Sequence, residues 1–147
     1  MTIERMNKNH IVQLAEIEKA CFSSPWSAQA FTDELQKESS VFFAACENSA
    51  VLGYAGLYDI LGDGFITNVA VRPECRRCGT GLLLVQVVLN YAKAHRMNFV
   101  TLEVRKSNSS AIRLYEKAGF QVVGERKNFY TRPMEDALLM TKEREQF

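Results

Sequence analysis

The chain of 147 residues has the length of one domain and the composition of a globular protein, with 47% apolar and 24% charged residues. Lys and Arg (18) nearly balance Asp and Glu (17), so the net charge of +1 excludes nucleic-acid or membrane binding driven by bulk charge. The longest apolar stretch, LLLVQVVL, is far shorter than a membrane span of about 20 residues, and the charged N-terminus lacks the apolar core of a signal peptide. We therefore expect a single cytoplasmic domain over residues 1–147.

The first half of the chain predicts a strand, two helices and three strands. TIERM is the first strand, and Asn7 or Asn9 can cap an amphipathic helix. SSPW ends that helix, and Ser27 can cap a second one that runs to about Glu38. The strands VFFAACE, VLGYAGLYDI and GFITNVAV follow, joined by turns short enough for antiparallel hairpins. The apolar face of the first helix is formed by Ile11, Leu14, Ile17 and Ala20.

The second half alternates helices and strands. A helix that is apolar almost all round, and hence largely buried, runs from Gly79 to about Met97. The strand NFVTLEV, the helix SSAIRLYEKA with its stop at Gly119, and the strands FQVVGER and DALLMTK complete the chain. The whole pattern predicts a single α/β domain with about seven strands and about four helices.

The four cysteines do not form a recognisable metal or redox site. Cys75 and Cys78 make a C-x-x-C, but Cys21 and Cys46 are 25 residues apart and the two histidines are not a close pair. A structural zinc site usually takes its four ligands from two close pairs. A thioredoxin-like site would not normally carry the Arg-Arg spacer found here. We therefore predict no metal and incidental cysteines.

The G-x-G at Gly79 and Gly81 opens the buried helix directly after a loop. A helix start offers unpaired N–H groups and the positive end of the helix dipole, and glycines let an anion approach them. Arg76 and Arg77 add positive charge. No Walker lysine follows, and Leu84 stands where a Rossmann fingerprint has its third glycine. The motif indicates either a phosphate-binding turn or a simple tight turn.

Two longer stretches resemble the GNAT superfamily of N-acetyltransferases. Arg76-x-x-Gly79-x-Gly81, after NVAVRPE, resembles its acetyl-CoA motif, and LEVRKSNSSAIRLYEKAGF resembles its second signature. PWS, NVAVRPECRR, the Glu of LEVR and the NFY…EDALLM ending are most similar to the bacterial RimI type. Enzymes of that type acetylate the N-terminal alanine of a small-subunit ribosomal protein. The resemblance covers Ile3 to Met140 and implies a GNAT-like fold with a mixed central sheet.

The resemblance also implies how acetyl-CoA would bind. In this family the strand carrying Val69 to Val71 diverges from the next strand, and the pantetheine arm lies in the gap with the Val71 N–H near the thioester oxygen. The pyrophosphate lies on the loop and helix start, and Asn108 touches the pantetheine arm. Asn108 is equally well placed as a helix N-cap, and the two roles are compatible. The implied cofactor-binding residues are Val69, Ala70, Val71, Arg76, Arg77, Cys78, Gly79, Thr80, Gly81, Leu82 and Asn108.

Two residues are candidates for proton transfer. Glu103 lies in a strand whose apolar residues face the other way, and the RimI type carries Glu here, so we expect it to be the general base. The alternative interpretation is that Glu103 is an exposed strand residue paired with a neighbour such as Arg105. The family's equivalent of Tyr115 protonates the CoA thiolate, whereas its helical spacing with Ile112 also suits a core aromatic.

The acceptor is implied to be a protein or peptide with a free N-terminus, most simply a ribosomal protein. Trp26, Asn128 and Tyr130 are the expected substrate contacts, although Trp26 could equally be a hydrophobic staple before a helix. We expect no acyl-enzyme, because no cysteine is predicted at the reaction centre, and a monomer or weak dimer. A lysine, polyamine or drug amine as acceptor, and a non-catalytic CoA-binding regulatory module, are the alternatives.

Overall fold

The computed structural model describes residues 1–147 as seven strands and four helices, which confirms the predicted α/β fold. None of the helices is both long enough and apolar enough to cross a membrane. Two short 3₁₀ turns lie at Pro73–Cys75 and Arg144–Gln146. In chain order the elements are β1 (Thr2–Arg5), α1 (Ile11–Cys21), α2 (Ala28–Leu35), β2 (Ser40–Glu47), β3 (Ala50–Ile60), β4 (Asp63–Val71), α3 (Thr80–Ala94), β5 (Phe99–Arg105), α4 (Ser109–Lys117), β6 (Gln121–Tyr130) and β7 (Glu135–Glu143).

The strands form one mixed sheet in the order β1-β2-β3-β4-β5-β7-β6. The first four strands pair antiparallel. The short turns predict this for β2, β3 and β4, whereas β1 is joined to β2 through α1 and α2. Strands β5, β7 and β6 are also antiparallel to one another. The one parallel pair is β4 with β5, and it is short, joining only Asp63–Phe65 to Phe99–Thr101. Beyond those three residue pairs the two strands separate, and we call the space between them the strand gap.

Helices cover both faces of the sheet and bury a separate apolar cluster on each. Strand β2 is buried on both sides and shows the alternation clearly, because Val41, Phe43 and Ala45 belong to one cluster and Phe42, Ala44 and Cys46 to the other. The first cluster lies under α3 and α4, and the second under α1 and α2.

Several predicted helix boundaries were wrong. Helix α1 begins after His10, and neither Asn7 nor Asn9 caps it, because the Asn7 side chain accepts a hydrogen bond from the Asn9 N–H instead (2.8 Å). Ala20 is exposed, and Glu18 is buried in its place. Ser27 caps α2 as predicted, accepting from the Ala30 N–H, but the helix ends at Leu35. Helix α3 ends at Ala94, short of Met97.

Gly53 of β3 lets β4 approach closely at the end that borders the strand gap. A Cβ at Gly53 would lie 2.6 Å from the Ala70 carbonyl oxygen and 3.1 Å from the Val71 Cα. Both neighbours are backbone atoms, so they cannot move aside without displacing the strand.

Replacement of Gly53 by Ala should therefore lower the free energy of unfolding by about 1–3 kcal/mol, the usual cost of overpacking. Urea denaturation would measure it. Gly124→Ala is the matched control, because a Cβ there meets nothing within 4 Å; its stability should stay the same or rise by up to ~1 kcal/mol. Equal stability of the two variants would contradict the close approach.

Candidate active site

The strand gap exposes main-chain groups of β4. Arg72 donates its N–H to the Leu52 carbonyl of β3 (2.8 Å). Because main-chain groups of successive strand residues point to opposite edges, Val71 directs its N–H and C=O away from β3 and into the gap. The same alternation turns Val69 toward the gap. The separation of the two strands expected from the family resemblance is thus present in the structure.

The loop that follows β4 presents a run of free amides. The N–H groups of residues 77–82 donate to no acceptor within the protein, and we call them the amide array. Arg77 (φ 65°) and Gly79 (φ 80°) both have left-handed backbone conformations, which bend the chain so that successive amides converge. A Cβ at Gly79 would meet nothing within 4 Å, so the space in front of the array is open. This arrangement suits an anion at the start of α3.

The arginines before the amide array differ in what they contact. The Arg76 guanidinium donates from Nε to the Val71 carbonyl (3.2 Å) and approaches the Cys21 sulfur to 3.3 Å. Arg77 is exposed and makes no side-chain contact with an acceptor. Cys21 also lies 3.5 Å from the Val71 carbonyl oxygen. Cys21 thus lies beside Val71, one of the residues expected to bind the cofactor, because α1 ends beside the last residue of β4.

Gly81 and Thr80 have structural roles that the sequence did not indicate. A Cβ at Gly81 would lie 2.8 Å from Leu114 Cδ1, so this glycine allows α4 to pack against the start of α3. The Thr80 side chain is buried, with its hydroxyl 3.8 Å from the Met1 sulfur. At both positions only the main-chain N–H is available to a ligand.

Asn108 caps α4, since its side chain accepts a hydrogen bond from the Ala111 N–H (3.2 Å). The preceding turn is held by Glu135, which accepts from the Ser107 N–H (2.7 Å) and from Arg105 (3.2 Å). The pKa of Glu135 is lowered, first by the Ser107 side chain and then by the Ser107 N–H and Arg105. Glu135 thus fixes the turn from which α4 starts.

Glu103 lies on β5 with its side chain on the face opposite the buried Val100, Leu102 and Val104. Its carboxylate pairs with Arg126 of β6 (3.1 Å), and the Glu103 side chain is 31% exposed. Arg105, the neighbour expected from the sequence, instead pairs with Glu135. Glu103 is therefore accessible to solvent and balanced by one cation.

Tyr115 is buried within the cluster under α3 and α4, yet its hydroxyl makes no hydrogen bond within the protein. Every fully buried side-chain oxygen or nitrogen has a partner, so this hydroxyl must still reach solvent. Burial raises the pKa of Tyr115, with a smaller effect of Tyr130. Burial, and next the Glu103 charge, raises the pKa of Tyr130 to about 12. Tyr130 is thus within electrostatic reach of both Tyr115 and Glu103.

The three residues expected to contact the substrate have different surroundings. Trp26 packs against Phe31 and Phe42, with ring centroids 5.4 and 5.9 Å apart, as expected of a residue that secures the start of a helix. Asn128 is exposed, and its N–H donates to Asp136 (2.9 Å). The Arg105 guanidinium carbon lies over the Tyr130 ring, 4.4 Å from the ring centroid.

Sequence reasoning missed Glu18, which is 1% exposed on α1. It accepts hydrogen bonds from the Tyr54 hydroxyl and from the Trp26 N–H (2.8 Å), and Asn68 approaches it to 3.5 Å. Burial raises the pKa of Glu18 more than these hydrogen bonds lower it. A signal was present, because Glu18 is four residues after Leu14 and so lies on the apolar face of the helix.

Glu4, His10 and Cys46 lie together away from the strand gap, beside a cavity of about 650 Å³. The His10 Nε2 is 3.7 Å from the Cys46 sulfur and 3.8 Å from the Glu4 carboxylate. The other ring nitrogen accepts the Asn7 N–H (3.2 Å), which puts the proton of neutral His10 on Nε2. A metal ion at Nε2 would have to replace that proton, so this trio is poorly prepared for a metal.

Comparison with known proteins places these features in context. The Acetyltransferase (GNAT) family matches residues 11–120. A Bacillus subtilis (strain 168) protein, provisionally assigned as a ribosomal protein bS18-alanine N-acetyltransferase, is 37% identical over 94% of this chain and 92% of its own length. The crystal structure of the ribosomal-protein-S18-alanine N-acetyltransferase from Escherichia coli has a TM-score of 0.88 and 30% identity, covering 97% of this chain and 92% of that one.

A further solved structure, yncA from Salmonella typhimurium with its cofactor acetyl-CoA, has a TM-score of 0.86 at 19% identity. The match covers 98% of this chain and 94% of that chain. At this identity the likeness shows a shared fold.

Replacement of Asn108 by Ala should lower the free energy of unfolding by about 1 kcal/mol, because the Ala111 N–H loses its cap. Asn108→Asp keeps an oxygen for that N–H and should restore the stability, which thermal or urea denaturation would measure. An Ala variant as stable as the wild type would contradict the capping role.

Proposed function

Because the chain belongs to the Acetyltransferase (GNAT) family, we propose that it transfers an acetyl group from acetyl-CoA to a protein N-terminal α-amine. The target we propose is the N-terminal alanine of ribosomal protein bS18, the activity named for the Escherichia coli enzyme of the same fold. The observation that carries the proposal is the strand gap, where the β4 main chain has no partner strand and lies directly beside the amide array. Residues 1–147 act as a single N-acetyltransferase domain.

The amide array and the strand gap bind different parts of acetyl-CoA. The amide array and the free Arg77 guanidinium hold the pyrophosphate, since both offer N–H donors to an anion. The main-chain groups of Val69 and Val71 hydrogen-bond the pantetheine arm as a neighbouring strand would. Cys78, Gly79, Thr80, Gly81 and Leu82 contribute through the amide array, and Asn108 contributes at the start of α4. Ala70, paired with Tyr54 of β3, and Arg76, bonded to the Val71 carbonyl, hold the end of β4 in place.

Transfer requires a neutral amine, a stabilised oxyanion and a protonated leaving group. An N-terminal amine has a pKa of about 7.7–8.0, so a carboxylate is a sufficient base, and Glu103 takes the proton directly or through a water molecule. The Val71 N–H donates to the oxygen of the tetrahedral intermediate, an interaction typically worth roughly 3 kcal/mol. The Tyr115 hydroxyl then donates its proton to the CoA thiolate.

The environments of the two groups favour these opposite roles. The Glu103 carboxylate is partly exposed and pairs with Arg126 on one side (3.1 Å), which leaves it open to an amine or a water molecule. Burial raises the pKa of Tyr115, so its hydroxyl is protonated and can donate a hydrogen bond to the thiolate as it forms. Trp26, Asn128 and Tyr130 flank the acceptor side in this proposal.

Glu103→Gln and Tyr115→Phe should each lower kcat about 10²–10⁴-fold, because each removes one proton-transfer group and preserves shape. The assay follows CoA release with acetyl-CoA and an Ala-starting basic peptide. Glu116→Gln, on the exposed side of α4, is the control and should leave kcat unchanged.

The acceptor class is tested with the same peptide blocked at its N-terminus, and with spermidine. Turnover of the free peptide alone is the expected result. Turnover of the blocked peptide or of spermidine would assign a lysine or polyamine acceptor instead. Binding of acetyl-CoA without turnover of any acceptor would point to a regulatory module.

Arg77→Ala should raise the KM for acetyl-CoA about 10-fold, because a charge-assisted hydrogen bond contributes roughly 1.5–3 kcal/mol. The KM for the peptide should not change. Lys93→Ala, in the last turn of α3, removes an equal charge from the other end of that helix. If both variants raise the KM for acetyl-CoA equally, the effect comes from overall charge, and the proposal that Arg77 contacts the pyrophosphate is wrong.

A further inference from the structure

Glu18 is a buried carboxyl group that no basic side chain neutralises. Its partners are the Tyr54 hydroxyl, the Trp26 N–H and the Asn68 amide, and it forms no ion pair. Asn68 also donates to the Tyr54 oxygen (2.8 Å). Burying a carboxyl group without a cation is expensive even when it is hydrogen-bonded. The positions of these partners in the fold indicate which elements Glu18 holds together.

The partners of Glu18 belong to different elements on one side of the strand gap. Asn68 is on β4, directly before Val69 and beyond the last residue pair with β5. Trp26 lies in the connection between α1 and α2, residues 22–27, which we call the α1–α2 loop. Glu18 therefore fixes one end of this loop to the strand that borders the gap.

The α1–α2 loop is fixed to the opposite side of the gap as well. The Ser23 hydroxyl donates to the Arg132 carbonyl in the turn between β6 and β7 (2.8 Å). Arg105 of β5 donates to the Pro133 carbonyl of the same turn (2.9 Å). The loop thus crosses from the β4 side to the β5 side, over the face of the sheet on which Glu103 lies.

A second buried glutamate, Glu34, provides a comparison within the same protein. Glu34 of α2 accepts from Tyr58 (2.7 Å), Ser40 and Lys37 (3.1 Å). Burial acts to raise its pKa, but these hydrogen bonds outweigh burial and the pKa is lowered. Glu34 has a cation and hydrogen-bonds neither β4 nor the α1–α2 loop. Glu18 differs in both respects.

We propose that Glu18 is a positioning residue for the acceptor, which it aligns by holding the α1–α2 loop against β4 through Trp26 and Asn68. This inference rests on the proposed acetyl transfer and adds the acceptor side of the same site. A carboxylate accepts from all three donors at once, whereas a carboxamide has one acceptor oxygen and brings two donors of its own.

Glu18→Gln should therefore raise the KM for the Ala-starting peptide roughly 5- to 20-fold, as expected when one or two hydrogen bonds that order the loop are lost. The KM for acetyl-CoA and kcat at saturating peptide should change less than twofold. Steady-state CoA release with each substrate varied in turn would measure all three values.

Glu34→Gln is the matched control, because it makes the same chemical change in a buried carboxyl–tyrosine network away from the gap. It should leave the peptide KM unchanged. Tyr54→Phe removes one partner of Glu18 and should raise the peptide KM in the same direction, so it serves as the test if Glu18→Gln does not fold. Equal effects of Glu18→Gln and Glu34→Gln, or a parallel rise of both substrate KM values, would overturn the positioning role.

Failure of the proposed function gives a different result. If the wild-type protein acetylates spermidine and leaves the peptide unmodified, the α-amine assignment is wrong, and the same comparison of variants is made with the KM for spermidine. A selective rise in that value for Glu18→Gln would then support the positioning role, and no rise would overturn it.

Discussion

The early separation of β4 from β5 is the constraint on which the rest of this structure depends. Three residue pairs join the strands, and beyond them the inner main chain of β4 has no neighbouring strand. Unpaired peptide groups are costly when water cannot reach them, so the gap must remain open or be filled by a ligand that replaces the missing strand. The protein fixes β4 from its other side instead, through β3 and the close approach at Gly53.

In the proposed reaction the two faces of the sheet serve different substrates. On one face, α3 and α4 start beside the gap, and the start of α3 supplies free main-chain donors. On the other face, β3 carries two tyrosines, Tyr54 and Tyr58, and each meets a buried glutamate from a helix above it. A reaction that joins a thioester on one side to an amine on the other needs both faces to meet at one opening, and the gap provides it.

Much of this was predictable from the sequence. The seven strands, the four helices and the turn at Gly79 follow from patterns only a few residues long, since alternation, capping residues and glycines act locally. The hydrogen bond of Glu18 with Asn68, the pairing of Glu103 with Arg126 and the approach of Cys21 to Val71 were not predicted. Each depends on which segments meet in space, and residues 50 positions apart leave no local trace of their contact. Gly81 carried a local signal, but it was interpreted as room for a ligand when it is room for Leu114.

The amide array has a consequence for mutational tolerance. Its donors are main-chain atoms, so the capacity to hold an anion belongs to the path of the chain and is largely independent of side-chain identity. Apart from Arg77, whose guanidinium adds to the array, most single substitutions in this loop should be silent, and harm should be concentrated at Gly79, where a left-handed backbone disfavours a Cβ, and at Gly81, where a Cβ would meet Leu114. Within the loop, the tolerance of each position to substitution should depend more on its backbone angles than on the chemistry of the ligand.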